Sequence, residues 1–461
     1  MKQLPGRPKK GCYMEVRSTL EKRLDSFDVT ERQEALEQLL EDANTGKITL
    51  PLMGDHFNLH CHSFYSFNGY GYSPSGLAWR GRASGLCAMA LIDFDVLDGV
   101  DEFLAVCEQL GLRSGAGLET RVFVPAFAED EINSPGEPGV AYHIGMGFVS
   151  STVSGNDAAL LRRFKDMAQQ RTQAIIKRVN TLLHEIAVDY EKDVLPLTPA
   201  GNATERHVCA AYYAKAQALH GEGNAAAYWA SKLDMPVDAV AKALADPPVF
   251  QGIARSKTMK AGGVGYVRAQ SDEFPALDEV NRLILANGAI PTFAFLDGAS
   301  SGEARMDDLL DVMTASGVAA VNIIPDRNWN IADAEVKALK LKNLEAFVQQ
   351  ARARNLPIFV GTEMNAYGQR FVDAFDAPEL RPYFSDFQEG MHILNGHTLL
   401  QAHAGMGYLS GWAADTFATT ADKNRFFARL GRSLDAASGD SLNALSPETG
   451  PEEILKALPR L

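Results

Sequence analysis

The feature that most constrains this chain is a rhythm that starts near residue 57. Short apolar runs of strand length each close on a cluster of polar residues. They occupy residues 57–62, 87–95, 113–120, 140–145, 289–296, 318–326 and 357–365. Longer stretches with apolar residues at helical spacing lie between several of them, as in 98–110, 306–316 and 335–355. Alternating strand and helix units predict an α/β fold with a parallel sheet, open or closed into a barrel. In either arrangement functional side chains collect at the C-terminal ends of the strands. Since the polar clusters stand at those ends, a single site built from many strand tips is expected.

Residues 156–260 break the rhythm with a mostly helical, Ala-rich stretch, and residues 13 to about 46 read as polar helix. The expected organisation is therefore a helical extension over 1–54 and the first part of a barrel over 55–155. A helical insertion over 156–260, the rest of the barrel over 261–410 and a helical tail over 411–461 follow.

With 461 residues, of which 46% are hydrophobic, the chain can bury a large core. Its net charge of −14 argues against nucleic acid and against anionic membrane as partners, since both reward a basic surface. The five cysteines, Cys12, Cys61, Cys87, Cys107 and Cys209, have no CxxC spacing, which fits a reducing cytoplasm. No secretory signal and no apolar run near the ~18 residues of a membrane span is read. Nothing in the sequence fixes an oligomeric state.

His60 and His62 are two apart on a strand, so both imidazoles point to one face and can converge on a cation. Asp93 and Asp95 repeat that relation at the end of the second run, and Asp93 is expected to act as ligand or catalytic group. Glu119 follows a glycine-rich strand that allows close approach. His143, His207 and Glu363 complete the candidate ligands. For an anionic substrate the candidates are Arg206, at a helix start, Arg327, whose planar fork suits phosphate or carboxylate and which is also expected to act in catalysis, Asn328 and Asn365.

The segment Asn58-Leu59-His60-Cys61-His62-Ser63, then Ser73-Pro74, then Ile92-Asp93-Phe94-Asp95, resembles the PHP (polymerase and histidinol phosphatase) superfamily as a divergent member. Glu119 in Gly-Leu-Glu and His207 in Glu-Arg-His look like further family positions. The resemblance is good over about residues 55–125 and looser from 140 to 370. It implies a distorted (β/α)7 TIM-like barrel and one to three divalent ions, zinc, manganese or iron, that activate a water against a phosphate ester. The chain departs from the pattern at Phe94 and Asn365, where the family carries histidines, and at Phe295-Leu296-Asp297, which replaces a histidine-proline strand end.

The expected function is a metal-dependent phosphoesterase acting on a small phosphorylated or otherwise anionic metabolite. The alternative is a catalytically decayed barrel that binds an anionic small molecule, with one residual metal or none. A different metal-assisted reaction, such as deamination or lyase chemistry, is a weaker third.

Overall fold

The computed structural model describes residues 18–153, 155–267 and 271–457. Cys12 and the first part of the N-terminal helical reading, residues 13–17, lie outside them.

Seven strands form one sheet in sequence order: β1 (Phe57–Cys61), β2 (Ala88–Phe94), β3 (Arg113–Phe123), β4 (Val140–Met146), β5 (Ile290–Phe295), β6 (Ala320–Ile323) and β7 (Ile358–Val360). Each coincides with one of the apolar runs of the sequence, although β3 and β4 continue past theirs to Phe123 and Met146. β2 is buried along almost its whole length, which is why it reads as continuous Ala, Met, Leu and Ile rather than as an alternation. A bridge between Cys61 and Glu363, with the His62 N–H donating to the Glu363 carbonyl at 2.8 Å, brings the last strand back to the first. Below that bridge a side chain replaces the ladder. Asn58 Oδ1 accepts from the backbone N–H of His60 (3.2 Å) and of Thr362 (3.1 Å), while its Nδ2 donates to Thr362 Oγ1 at 2.7 Å. Gly361 makes this approach possible, since a Cβ there would stand 2.3 Å from the His60 nitrogen. The sheet is thus a nearly closed seven-stranded barrel with helical extensions.

One strand departs from the expected parallel order. β4 is antiparallel to both β3 and β5, whereas every other neighbouring pair is parallel. Only a single 3-10 turn, Pro125–Phe127, separates β3 from β4, and a connection without a crossover helix returns the chain antiparallel. Six strand tips therefore meet at one mouth, and the end of β4 points away from it.

The helix Gly155–Leu182 follows β4. At 1.5 Å per residue, 28 residues span about 42 Å, long enough to climb from the far end of β4 past the mouth. With Glu205–Leu233, Val237–Leu244 and Pro247–Met259 it encloses a second apolar core around Val179, Tyr212, Trp229 and Phe250.

Local signals explain the remaining elements. Asp28 caps Val29–Asn44, and Ser73 caps Pro74–Ala83 with proline at its first position. Helix Phe384–Ala404 packs against β3 and β7, and Thr420–Ser433 packs on it in turn. Gly431 permits that crossing, because a Cβ there would meet the His392 carbonyl oxygen at 1.9 Å. No helix among the described residues is long and apolar enough to cross a membrane. Cys61, Cys87, Cys107 and Cys209 are all free and buried.

Candidate metal centre

On β1, Asn58 and His60 face the barrel interior, and His62 follows with the same parity just past the strand. Glu119 comes in from β3, in register with Phe94 of β2. His60 Nε2 lies 3.4 Å and His62 Nε2 3.2 Å from Glu119 Oε2. All three residues are buried, and none of these three atoms has a hydrogen bond that satisfies it. Buried polar atoms ordinarily find partners, so three such atoms facing one another are unusual. They lie within 4.8 Å of one another, as the ligands of one cation would. With metal–ligand bonds of about 2.0–2.1 Å, the edge of a tetrahedral site is about 3.3 Å. The two observed separations match that edge.

The outer nitrogens decide which tautomer each imidazole adopts. His60 Nδ1 meets Asn322 Oδ1, an acceptor, at 3.0 Å. His62 Nδ1 meets Ser66 Oγ at 3.2 Å, and the Ser66 hydroxyl spends its one proton on Asp93 Oδ1 at 2.6 Å. Both Nδ1 atoms must then donate, which leaves each Nε2 lone pair directed at Glu119. The charges agree. Burial alone would raise the Glu119 carboxyl, but His60 and His62 hold it down to about 2. Burial would lower His60, and Glu119 more than offsets this, so its pKa ends above the usual histidine value.

The other expected site residues divide. Asp93 faces the turn after β1 rather than the cluster, accepting from Ser63 N (2.7 Å), Ser63 Oγ (2.6 Å) and Ser66 Oγ. Asp95 has φ +61°, and this left-handed residue ends the strand alternation, so Asp95 lines the cavity beside Phe94. Phe94 stacks on the His62 ring, with centroids 4.2 Å apart. Glu363, also left-handed at φ +65°, stands at the cavity wall, paired with Arg327 at 2.7 Å and hydrogen-bonded by Gln369 at 3.0 Å. Asn365 and Arg206 line the cavity.

Three residues are not brought to it. His143 is on the reversed strand and turns outward, its Nε2 2.6 Å from Asn281 Oδ1 on helix Leu277–Ala286, and burial lowers its pKa to about 4. His207 closes a capping box, its Nδ1 accepting the Thr204 N–H at 3.0 Å. Asn328 is fully buried and donates to the Leu296 and Ile324 carbonyls.

A cavity of about 510 Å³ opens above the cluster, between the strand tips and the helical insertion. Asn322, Tyr142, Arg121, Arg171, Arg255 and Lys260 line it and were not singled out from the sequence. Asn322 carried a readable signal, as the one polar residue of the buried strand Ala-Val-Asn-Ile. Arg121 shares the parity of Glu119 on β3. Nothing local marks Arg171 or Arg255.

No family model matches the chain, and no curated protein matches it in sequence. Solved structures do show similarity. An amidohydrolase from Chromobacterium violaceum, with sulfate bound and no metal, superposes with a TM-score of 0.47 at 15% identity, over 73% of this chain and 96% of the other. A candidate metal-dependent phosphoesterase from Bifidobacterium adolescentis gives 0.44 at 18% identity, over 73% and 97%.

Proposed function

We propose that this chain is a metal-dependent hydrolase that cleaves a phosphate ester of a small anionic molecule, with one divalent ion held by His60, His62 and Glu119. The supporting observation is the convergence of three buried, otherwise unsatisfied ligand atoms at the floor of a cavity. Two imidazoles and one carboxylate suit zinc, and also manganese or iron, and three protein ligands leave a position for substrate or water. A divalent ion there would polarise a phosphoryl oxygen and make water a stronger nucleophile near neutral pH.

The chain's own groups supply the rest. Ser66 and Asn322 fix the tautomers of the two histidines. Asp93 holds Ser66 in place, and so acts through His62 rather than on the substrate. Arg327 is 44% exposed along its side chain and can offer a guanidinium edge to an anion while Glu363 restrains it. Phe94, Tyr142 and Phe67 give the cavity apolar walls that limit water. Free cysteines throughout the described part fit a cytoplasmic setting.

The second reading, a barrel that binds an anion without turning it over, draws on the same site. Phe94 occupies the face of His62, and Glu363 is committed to Arg327, so no second set of ligands converges among the described residues. Elemental analysis of protein purified without chelator should give close to one equivalent of a transition metal. A panel of phosphate esters should be turned over by wild type and not by the double variant His60→Ala, His62→Ala. Less than about half an equivalent of metal would remove the metal reading. Bound metal with no turnover of any ester would favour the second.

A further inference from the structure

The cavity has a second chemical pole that the metal reading does not use. Arg121, Arg171, Arg206, Arg255 and Lys260 all line it. Three carboxylates stand among them, and one, Asp95, lies in electrostatic reach of Arg171 and Arg121 while accepting from Thr120 Oγ1 at 2.6 Å. Glu137 pairs with Arg121 at 2.6 Å, and Glu205 takes both Arg255 (2.7 Å) and Lys260 (2.9 Å). Five cations facing three carboxylates leave a local excess of two positive charges, in a chain whose net charge is −14.

Arg171 and Arg206, both contributed by the helical insertion, make no direct ion pair among the described residues, whereas Arg121, Arg255 and Lys260 do. Arg171 donates Nη1 to the Glu273 carbonyl and lies over the Phe274 ring at 4.3 Å, while its Nε is buried without a partner. Arg206 rests over the face of Phe67 at 5.7 Å, and Glu363 and Glu205 act on it only through space, without a direct ion pair. A buried guanidinium nitrogen with nothing to donate to is costly, and an anion with free oxygens relieves that cost. Burial, and then repulsion from Arg121, pull the Arg171 guanidinium down to about 10 despite the attraction of Asp95 and Glu137.

We infer that Arg171 and Arg206 form a second anion subsite, so that the ligand carries two anionic groups, one at the histidine–glutamate cluster and one, a phosphate or carboxylate, held by the insertion. The inference names the substrate class of the function proposed above and rests on that reading for the first group only. It also assigns the insertion a task. The barrel provides the reacting end, and the insertion measures the length and charge of the molecule before it.

Calorimetric titration of chelator-treated, full-length protein with inorganic phosphate, and separately with malonate, tests the subsite without metal or turnover. Phosphate or malonate should bind the metal-free wild type, with an affinity that falls steeply as salt is raised. The double variant Arg171→Gln, Arg206→Gln should weaken it at least tenfold. The single variant Arg206→Gln, a half-buried position outside both cores, should weaken it in the same direction and guards against a folding defect in the double variant. Tighter binding of phosphate than malonate identifies the second group as phosphoryl, and the reverse identifies a carboxylate. Unchanged affinity in both variants, or no binding of either anion to wild type at millimolar concentration, overturns the inference. Loss of metal binding in the earlier experiment, with the arginine effect intact, would overturn the metal reading alone.

Discussion

The ring of Phe94 lies stacked on the imidazole of His62, with centroids 4.2 Å apart and planes 26° from parallel. It backs the imidazole on the side where the resembled family would carry another metal-ligating ring. Phe94→Ala removes that support and opens space beside the ligand. Zinc affinity, measured by competition with a chromophoric chelator, should fall about tenfold, in the range for loss of a ligand-orienting contact. Unchanged affinity would show that His62 is held by Ser66 alone.

Ser66 relays Asp93 to His62. Ser66→Ala deletes the acceptor for the His62 Nδ1 proton but leaves the cluster atoms in place. The expected result is a roughly 10–100-fold loss of metal affinity with little change in unfolding midpoint. A variant that binds metal as wild type does would remove the tautomer argument.

Arg32 is almost fully buried and is gripped by Glu102 at 3.0 and 2.5 Å, which also accepts from Ser75 Oγ at 2.6 Å. This grip ties the N-terminal helix Val29–Asn44 to the helix Val100–Leu110. Glu102→Ala strands a buried guanidinium, and breaking such a pair costs about 3–5 kcal/mol. Urea unfolding should report a loss of that order. The double variant Arg32→Met, Glu102→Leu should recover much of it.

His397 is buried between two backbone partners. Its Nδ1 accepts the Tyr408 N–H at 2.9 Å, and its Nε2 donates to the Gly147 carbonyl at 2.9 Å. Burial lowers its pKa from 6.5 to about 4. Between those values the unfolded chain binds a proton that the folded chain refuses. Its contribution is therefore complete above pH 6.5 and is lost as pH falls towards 4, by at most about 3 kcal/mol. Burial raises Glu303 to about 7, and that group acts in the opposite sense, its stabilisation fading as pH rises from 4.5 towards 7. The informative quantity is the difference between wild type and His397→Asn. It should narrow as thermal unfolding is followed from pH 7 down to pH 4, and a constant gap would refute the assignment.

Some of the site is written locally. His60, His62 and Glu119 follow from strand parity and from a glycine-rich approach, both of which depend on nearest neighbours. The direction of β4 does not, because it depends on how β3 is connected onward. His143, which reads as a strand-end ligand, turns to Asn281 on that account. His207 stands at a helix start as expected, but the same position makes it a cap partner for Thr204. Asp93 has the spacing of a ligand, yet the turn at residues 63–66 reaches its oxygens first.

By itself the sequence determined the seven strands, the helices between them and the two inward imidazoles, because periodicity and backbone parity are properties of short segments. The tertiary structure alone decided that three ligand atoms, and no more among the described residues, converge. It also decided that Asp93 serves Ser66, and that Arg171 and Arg206, from an insertion begun at the far end of β4, face the same cavity. Such juxtapositions join residues on different strands and loops, from 27 positions apart for Ser66 and Asp93 to more than 100 for His60 and Arg171, and closing the barrel, not any local pattern, sets which of them meet.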